Sequence, residues 1–118
     1  MTTEEFFGPQ RESREIFDLI ANLIAGMGES EVQASKSQIA FRTRKNFAAV
    51  WMPKQYLKGK AAPLVLSLSF STMDPSPRWK EVVRISPGRF THHLELWHPS
   101  DVDDEVGEWL CKARNDSI

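Results

Sequence analysis

The sequence has few of the residues that link a chain covalently or carry it into a membrane. Its 118 residues include one cysteine, Cys111, so an internal disulfide cannot form. The longest unbroken apolar run is the six residues Phe47–Met52, whereas a membrane-spanning helix needs about 20. The first residues, Thr2 to Glu5, lack the basic and apolar segments of a secretory signal. We therefore expect a cytoplasmic protein with no membrane partner.

The sequence also lacks the short motifs that mark common catalytic and cofactor sites. No GxSxG segment indicates a serine hydrolase, and neither GxxxxGKS/T nor GxGxxG indicates a nucleotide-binding loop. No HExxH or CxxC pattern supports a metal, and the adjacent His92 and His93 point to opposite faces of a predicted strand. A metal site built from His92, His98 and a distant carboxylate is conceivable, but no motif supports it. We therefore predict no metal and no other cofactor.

The net charge of −1 conceals an uneven distribution along the chain. Residues 1–35 hold seven acids and two bases, residues 36–89 hold eleven bases and two acids, and residues 90–118 hold seven acids and two bases. The three segments therefore carry −5, +9 and −5. A basic segment of this kind indicates an anionic partner for the middle of the chain. The other explanation is that acidic helices form ion pairs with a basic sheet, and an exposed pair contributes only about 0–1 kcal/mol.

Hydrophobic spacing predicts helices at both ends of the chain and strands between them. Apolar residues recur at helical spacing from about Pro9 to Gly26, which is the pattern of an amphipathic helix. Strict alternation from Leu64 to Phe70 is typical of a strand, and Ser100 is the predicted N-cap of a second helix. We expect one α+β domain over residues 1–118. Its sheet is largely antiparallel, with about five or six strands, and the N- and C-terminal helices pack on one face.

The sequence context also predicts where the tryptophans and the cysteine lie. Trp51 ends a strand that is apolar on both faces, and Trp109 lies on the apolar stripe of the last helix, so both are predicted to be buried. Cys111 lies one residue past that stripe and is predicted to be a small buried hydrophobe. Trp79 follows a proline-rich loop and is the tryptophan most expected to be exposed. An exposed Trp79 would suit recognition, but the interpretation that we favour is that Trp79 anchors this loop against the core.

The order of four segments, followed by an acidic C-terminal helix, resembles a known family. The segments are Ser35–Arg42, Asn46–Trp51, Asp74–Val83 and Pro87–Glu95. In this order they are similar to the bacterial proteins grouped as domain of unknown function 5655. The resemblance extends over nearly the whole chain and implies a compact α+β domain. It implies no activity and no catalytic residues, because no function is established for that family.

The basic middle segment provides the main candidate binding surface. By alternation, Arg42 and Arg44 lie on the side of the sheet that faces away from Phe41. Arginine beside aromatic side chains on an open sheet can bind an anionic small molecule or a nucleic acid through charge and stacking. The candidate ligand-binding residues are Lys36, Arg42, Arg44, Lys58, Lys60, Arg78, Trp79 and Arg89.

One pair of residues provides a candidate for catalysis. His93 and Glu95 share a face of their predicted strand, with Cα atoms roughly 7 Å apart, which permits the histidine–carboxylate pair that a general base uses. A polar cross-strand pair on a partly exposed sheet is the structural alternative. Three functions therefore remain open. They are a non-catalytic binding module, which we favour, a protein-interaction or homodimerisation domain, and a small enzyme centred on His93 and Glu95.

Overall fold

Helices form at the two ends of the chain, and strands lie between them. The computed structural model of the protein describes residues 1–55 and 59–118, and these ranges contain three α-helices and six strands. The helices are α1 (Thr3–Phe7), α2 (Arg11–Ala25) and α3 (Asp104–Ser117). The strands are β1 (Glu31–Ala34), β2 (Ile39–Arg42), β3 (Asn46–Trp51), β4 (Leu64–Phe70), β5 (Glu81–Ser86) and β6 (Arg89–Leu96). Short 3₁₀ turns occupy Pro53–Gln55 and Pro99–Asp101.

The strands form a sheet in the order β1-β2-β3-β4-β6-β5, and each neighbouring pair is antiparallel. α3 contacts β3 and β4, and α2 contacts both α3 and β4, so the helices cover one face of the sheet. This arrangement confirms the expected α+β architecture. β5 follows β4 in the chain but pairs only with β6 in the described sheet, so β6 lies directly beside β4.

Alternation along β4 assigns its side chains to two faces of the sheet. Its even-numbered residues, from Leu64 to Phe70, are buried towards the helices, whereas Ser67 and Ser69 are only partly buried on the other face. Burial of each large apolar side chain contributes about 1.5–3 kcal/mol, so the covered face holds the fold together. The other buried residues of this core include Ile16, Ile20, Ile39, Phe41, Val50, Leu94, Leu96 and Leu110.

The last helix begins later than the sequence predicts. Asp103 caps α3, and its Oδ1 accepts the Val106 N–H at 3.1 Å. The predicted cap, Ser100, lies instead in the 3₁₀ turn before the helix. Asp101 closes this turn against the end of β6, because its Oδ2 accepts the Trp97 N–H at 2.8 Å. The prediction that Ser100 is the N-cap is therefore wrong, since the residues around it are used by the turn.

The buried stripe of α3 excludes Cys111. Trp109 and Leu110 are buried, as predicted for Trp109, but Cys111 is exposed. Each residue of an α-helix is rotated by about 100° from the one before it, so a single step past Leu110 is enough to leave the buried face. The prediction that Cys111 is a buried hydrophobe is therefore wrong.

A buried histidine on β6 anchors the loop between β4 and β5. The side chain of His92 is on the helix face, and the residue is 0% exposed. The Asp74 N–H donates to His92 Nε2 at 2.9 Å, so the ring hydrogen is on Nδ1, which lies 3.2 Å from the Phe90 carbonyl oxygen. Trp79 packs on this ring at a centroid distance of 5.0 Å and donates its indole N–H to Asp74 Oδ1 at 3.0 Å. The loop is therefore held in place by a neutral histidine.

Acidification is expected to destabilise the protein through His92. Burial lowers the pKa of His92 below its ordinary value of 6.5, so the unfolded chain binds a proton more readily than the folded one. Stability is therefore full above that ordinary value and falls as the pH drops below it, by at most about 1.4 kcal/mol per pH unit. In His92→Gln the side-chain amide oxygen replaces Nε2 as the acceptor but does not titrate. The melting temperature of this variant should vary less between about pH 7.5 and pH 5.

A matched control separates this effect from the general acid response. His98→Gln is the control, because it removes an exposed histidine and leaves the contacts of His92 in place. Burial also lowers the pKa of His93, so part of the dependence should remain in His92→Gln. An unchanged pH dependence in His92→Gln would contradict this role for His92.

Candidate functional site

The face of the sheet opposite the helices has a floor of small side chains. Cross-strand partners form one row across the strands from β2 to β5, and it consists of Ala40, Ala49, Ser67, His93 and Glu81. The row on one side contains Trp51, Val65 and Glu95. The row on the other side contains Ser69, Thr91 and Val83. We name the surface formed by these three rows the open face.

A groove of about 280 Å³ runs over the floor of the open face, and we name it the main groove. Asn46 and Arg89 begin β3 and β6, which run in the same direction, so both residues line one end of the groove. Trp51 ends β3 and lies at the opposite end, with His93 beside it. The groove therefore has a basic end and an aromatic end.

A second cavity, of about 260 Å³, is also lined by Trp51 and His93. These two residues therefore stand between the cavities. The prediction that Trp51 belongs to the core is wrong, because Val50 and Met52 occupy the helix side and alternation turns Trp51 to the open face, where it is partly exposed. The charged residues that line the second cavity are Lys60, Lys80, Glu81 and Glu95.

A chain of hydrogen bonds fixes the side chains between the two cavities. The Trp51 indole N–H donates to Ser67 Oγ at 3.1 Å, and Ser67 Oγ lies 2.7 Å from His93 Nδ1. The Trp51 and His93 rings are nearly perpendicular, with centroids 6.5 Å apart. Burial lowers the pKa of His93, and the carboxylate of Glu81 acts in the opposite direction. His93 is therefore a neutral and well-positioned imidazole near neutral pH.

The structure places a different partner beside His93 from the one that the sequence suggested. Glu95 forms an ion pair with Lys80 at 3.0 Å, and no hydrogen bond joins Glu95 to His93 in the part of the chain that the structure describes. The direct cross-strand neighbours of His93 are Ser67 on β4 and Glu81 on β5. Sequence reasoning misses Ser67 because alternation shows which face a residue occupies but not which strand lies beside it.

Several candidate basic residues lie at one end of the sheet. Arg42 and Arg44 are exposed at the end of β2 and in the turn to β3, and Arg89 begins β6 at the same end. Arg89 lines the main groove, and together with Lys45 it lines a smaller cavity of about 120 Å³ next to it. Lys45 is a residue that the sequence analysis assigned only to a turn. Arg89 is therefore the candidate residue that the structure brings into the groove.

Two further candidate lysines, Lys36 and Lys60, do not line the main groove. Lys36 is exposed in the turn between β1 and β2, at the opposite end of the sheet from Arg89. Lys60 is also exposed, and its Nζ lies 5.8 Å from the centroid of the Trp97 ring. Lys58 lies outside the described residues. The basic segment therefore does not form one continuous surface over the described residues.

Structural contacts occupy Arg78 and Trp79. Arg78 Nη1 donates to both carboxylate oxygens of Asp103 at 3.0 Å, and Nη2 donates to the Asp101 carbonyl at 2.7 Å. Trp79 is only 8% exposed, and its ring centroid lies 4.1 Å from that of Trp109. The favoured prediction, that Trp79 anchors the loop against the core, is therefore confirmed, and the alternative of an exposed Trp79 is wrong. The cause is that Phe70, His92 and Trp109 provide an aromatic pocket for its ring.

The described part of the chain contains no cluster of side chains that could bind a metal ion. Within residues 1–55 and 59–118, no group of three or more His, Cys, Asp or Glu side chains is placed to hold a metal ion. His92 and His98, the pair considered from the sequence, are respectively buried among core aromatics and exposed beyond the end of β6. No helix of the same described ranges is both long and apolar enough to cross a membrane.

Nearly the whole length of the chain matches a known family. The family described as Domain of unknown function (DUF5655) matches residues 2–116. The chain belongs to this family. No curated protein and no solved structure matches it. Membership confirms the resemblance of the sequence segments, and the description of the family names no activity.

Replacement of Arg78 is expected to weaken the fold and to leave the main groove intact. Arg78→Ala removes a charged donor from the Asp103 carboxylate that caps α3 and from the Asp101 carbonyl. The free energy of unfolding, measured by urea denaturation, should fall by about 1–3 kcal/mol. Arg44→Ala is the control, because Arg44 is exposed and its replacement should cost less than about 0.5 kcal/mol. An equal stability of Arg78→Ala and Arg44→Ala would contradict the structural role of Arg78.

Proposed function

We propose that this domain is a binding module and that its main groove holds a small anionic ligand that carries a flat ring. One observation carries the proposal. A single groove has a guanidinium group at one end and two aromatic side chains at the other, over a floor of small residues. Arg89 provides the charge, and Trp51 and His93 provide the surfaces that a ring can pack against.

The basic end of the groove favours an anion over a neutral ligand. Arg89 and Lys45 line the same small cavity, and Asn46 adds a side-chain amide donor there. Asp116 also lines this cavity, but its Oδ2 accepts the N–H and the hydroxyl of Ser71 at 3.0 and 3.1 Å. These bonds leave the charge of Asp116 in place, but the two basic side chains that line the cavity outnumber this one acid. A carboxylate or phosphate matches the forked donors of an arginine.

The aromatic end of the groove favours a ring. The indole of Trp51 is held by its hydrogen bond to Ser67, and His93 is held by the same hydroxyl. Both rings are therefore oriented before a ligand arrives, which reduces the entropy lost on binding. Stacking of a nucleobase on an aromatic side chain contributes about 1–3 kcal/mol. The floor residue Ala49 leaves the space that the ring would fill.

The size of the groove and the scatter of the lysines favour a small molecule over a nucleic acid. A volume of about 280 Å³ is at the lower end of the range for small-molecule pockets. A nucleic acid is bound along a continuous basic track. Lys36 lies at the opposite end of the sheet from Arg89, and Arg78 is committed to α3. These positions support a ligand of the size of a single nucleotide or an aromatic carboxylate.

We also propose that this domain is located in the cytoplasm. The sequence has one cysteine, and Cys111 is a free, exposed thiol. An exposed thiol is best preserved in a reducing compartment.

A second candidate function is self-association through the free edge of β1. β1 and β5 are the outer strands of the described sheet, and Val32 on β1 is 54% exposed. The Ser35 N–H donates to the Gln38 carbonyl, so the backbone groups of Ser35 and Gln33 point towards β2 and those of Val32 and Ala34 point outwards. A second copy of the chain provides an identical edge, and two such edges can pair around a two-fold axis.

The role of Arg89 in binding is testable by one substitution. Arg89→Ala should reduce the affinity for a nucleoside monophosphate or an aromatic carboxylate by about 10- to 100-fold, because it removes charged hydrogen bonds to the anion. Titration calorimetry at low and high salt provides the measurement. Arg84→Ala is the matched control, since Arg84 is an exposed arginine of the same hairpin that lies opposite Phe90 on the helix side of the sheet.

Two outcomes would contradict the binding proposal. One is the absence of binding at low salt to every nucleotide, aromatic carboxylate and short nucleic acid tested. The other is an equal loss of affinity in Arg84→Ala and Arg89→Ala, which would mean that total charge and not the groove holds the anion. Tight binding of single-stranded nucleic acid with a steep salt dependence would favour the nucleic-acid alternative.

Self-association through β1 is testable by light scattering. The wild-type protein should form a dimer at high concentration, and Val32→Lys should shift it to a monomer, because a charge on an edge strand opposes pairing. Ile85→Lys is the control, since Ile85 is 56% exposed on the other outer strand. A wild-type monomer at high concentration would exclude this candidate.

A further inference from the structure

Three neighbouring strands bring a hydroxyl, an imidazole and a carboxylate together on the open face. Ser67 on β4, His93 on β6 and Glu81 on β5 are direct cross-strand partners. Ser67 Oγ and His93 Nδ1 are 2.7 Å apart, which is hydrogen-bonding distance for a nucleophile and its general base. The main groove and the second cavity both open onto His93. The pair is therefore accessible from the main groove, which Ser67 and His93 both line.

The surrounding hydrogen bonds determine which of Ser67 and His93 donates the hydrogen in the bond between them. The Trp51 indole N–H can only donate, so it uses a lone pair of Ser67 Oγ. The hydroxyl hydrogen of Ser67 then has one described partner, which is His93 Nδ1. Nδ1 accepts this hydrogen, and the ring hydrogen of His93 is on Nε2. This is the arrangement in which a histidine can remove the proton from a serine.

We propose that Ser67 is a nucleophile and His93 its general base, and that the pair acts on carboxylic esters bound in the main groove. This inference rests on the proposed function, because the main groove supplies the binding of the substrate. Glu81 is a positioning residue, since it faces His93 from β5 and does not contact the groove in which Ser67 lies.

The reaction follows from the positions of these atoms. Ser67 Oγ attacks the carbonyl carbon of the ester while its proton passes to His93 Nδ1. The tetrahedral intermediate then expels the alcohol, which takes the proton from Nδ1, and the acyl group remains on Ser67. Water, deprotonated by His93, attacks this acyl group and releases the carboxylic acid, and the proton returns to Ser67. The sum is hydrolysis of one ester by one water, with no other reactant.

Burial and charge around His93 support its role as a base. Burial lowers the pKa of His93, so the neutral form is present near neutral pH. The carboxylate of Glu81 raises this pKa and would stabilise the imidazolium that forms during the reaction. The other charged groups around His93 are Lys60, Lys80 and Glu95 in the second cavity and Arg89 in the main groove. Of these, Lys80 and Glu95 neutralise each other in an ion pair.

The geometry also indicates the class of ester. The groove is lined by Ser69 and Thr91 between Ser67 and the Arg89 end, so the space beside the nucleophile is short and polar. The favoured substrate is a small ester that carries an aromatic ring on one side of the ester bond and an anionic group on the other.

The experiment uses p-nitrophenyl acetate as the probe and measures both nitrophenolate release and the site of acetylation by peptide mass spectrometry. The wild-type protein should acquire one acetyl group on Ser67. Ser67→Ala should lose this label, and His93→Gln should slow it by about 100-fold or more, the usual contribution of a general base. Ser86→Ala is the matched control, because Ser86 is an exposed serine of the same sheet that lines neither the main groove nor the second cavity, and it should react as the wild-type protein does.

The pH profile tests the positioning role of Glu81. The rate of acetylation of Ser67 should fall as His93 becomes protonated, which occurs below the ordinary histidine pKa of 6.5. Glu81→Gln removes the charge that raises the pKa of His93. The midpoint of the profile should therefore move to lower pH, an effect that a purely structural role of Glu81 would not produce.

The outcomes separate this inference from the proposed function. Acetylation of lysines only, an unchanged rate in His93→Gln, or equal labelling of Ser67 and Ser69 would overturn the inference. If Arg89-dependent anion binding is found alongside any of these results, the groove is a binding site without catalysis. Acetylation of Ser67 that depends on His93, in a protein that binds no anion, supports the inference and contradicts the proposed function.

Discussion

The stability of the fold depends on the helices that cover one face, and only one face, of the antiparallel sheet. α2 and α3 exclude water from the apolar side of β2, β3, β4 and β6, and each large side chain buried there contributes about 1.5–3 kcal/mol. The opposite face has no helix over it in the described residues, so polar groups on that face have to be satisfied beside water. Ser67, His93 and Trp51 achieve this through mutual hydrogen bonds. The same constraint therefore produces the core and the candidate site.

Contacts in the folded chain also determine which charges remain free for a ligand. Arg78 and Arg89 are equivalent in a charge count, but Arg78 is bound to Asp103 and the Asp101 carbonyl, whereas Arg89 lines the main groove. The acids of the C-terminal segment are used in part to hold the loop between β4 and β5. A net charge of +9 over residues 36–89 thus includes groups with a structural role. The binding proposal depends on the position of Arg89 and not on that total.

The periodicity of the sequence predicts the helices, the strands and the covered face, because each depends on local spacing. It does not predict the order of strands, since the pairing of β6 with β4 comes from contacts distant in the chain. Ser67 is therefore absent from the predicted site and Glu95 is wrongly chosen as the partner of His93. Trp51 is wrongly assigned to the core for a similar reason. Trp51 and Trp79 are equally apolar, and only the presence or absence of a covering layer decides which is buried.

The residue types of the open face bear on the binding proposal. Alanine is a poor strand former, and a solvated sheet face is stabilised better by β-branched side chains. Ala40, Ala49 and Ser67 nevertheless occupy the central row over three adjacent strands. Threonine at these positions would raise strand propensity and fill the main groove. Departures from local preference are common at functional sites, where the space itself is needed. The small floor between Arg89 and Trp51 therefore supports the proposal that the main groove holds a ligand.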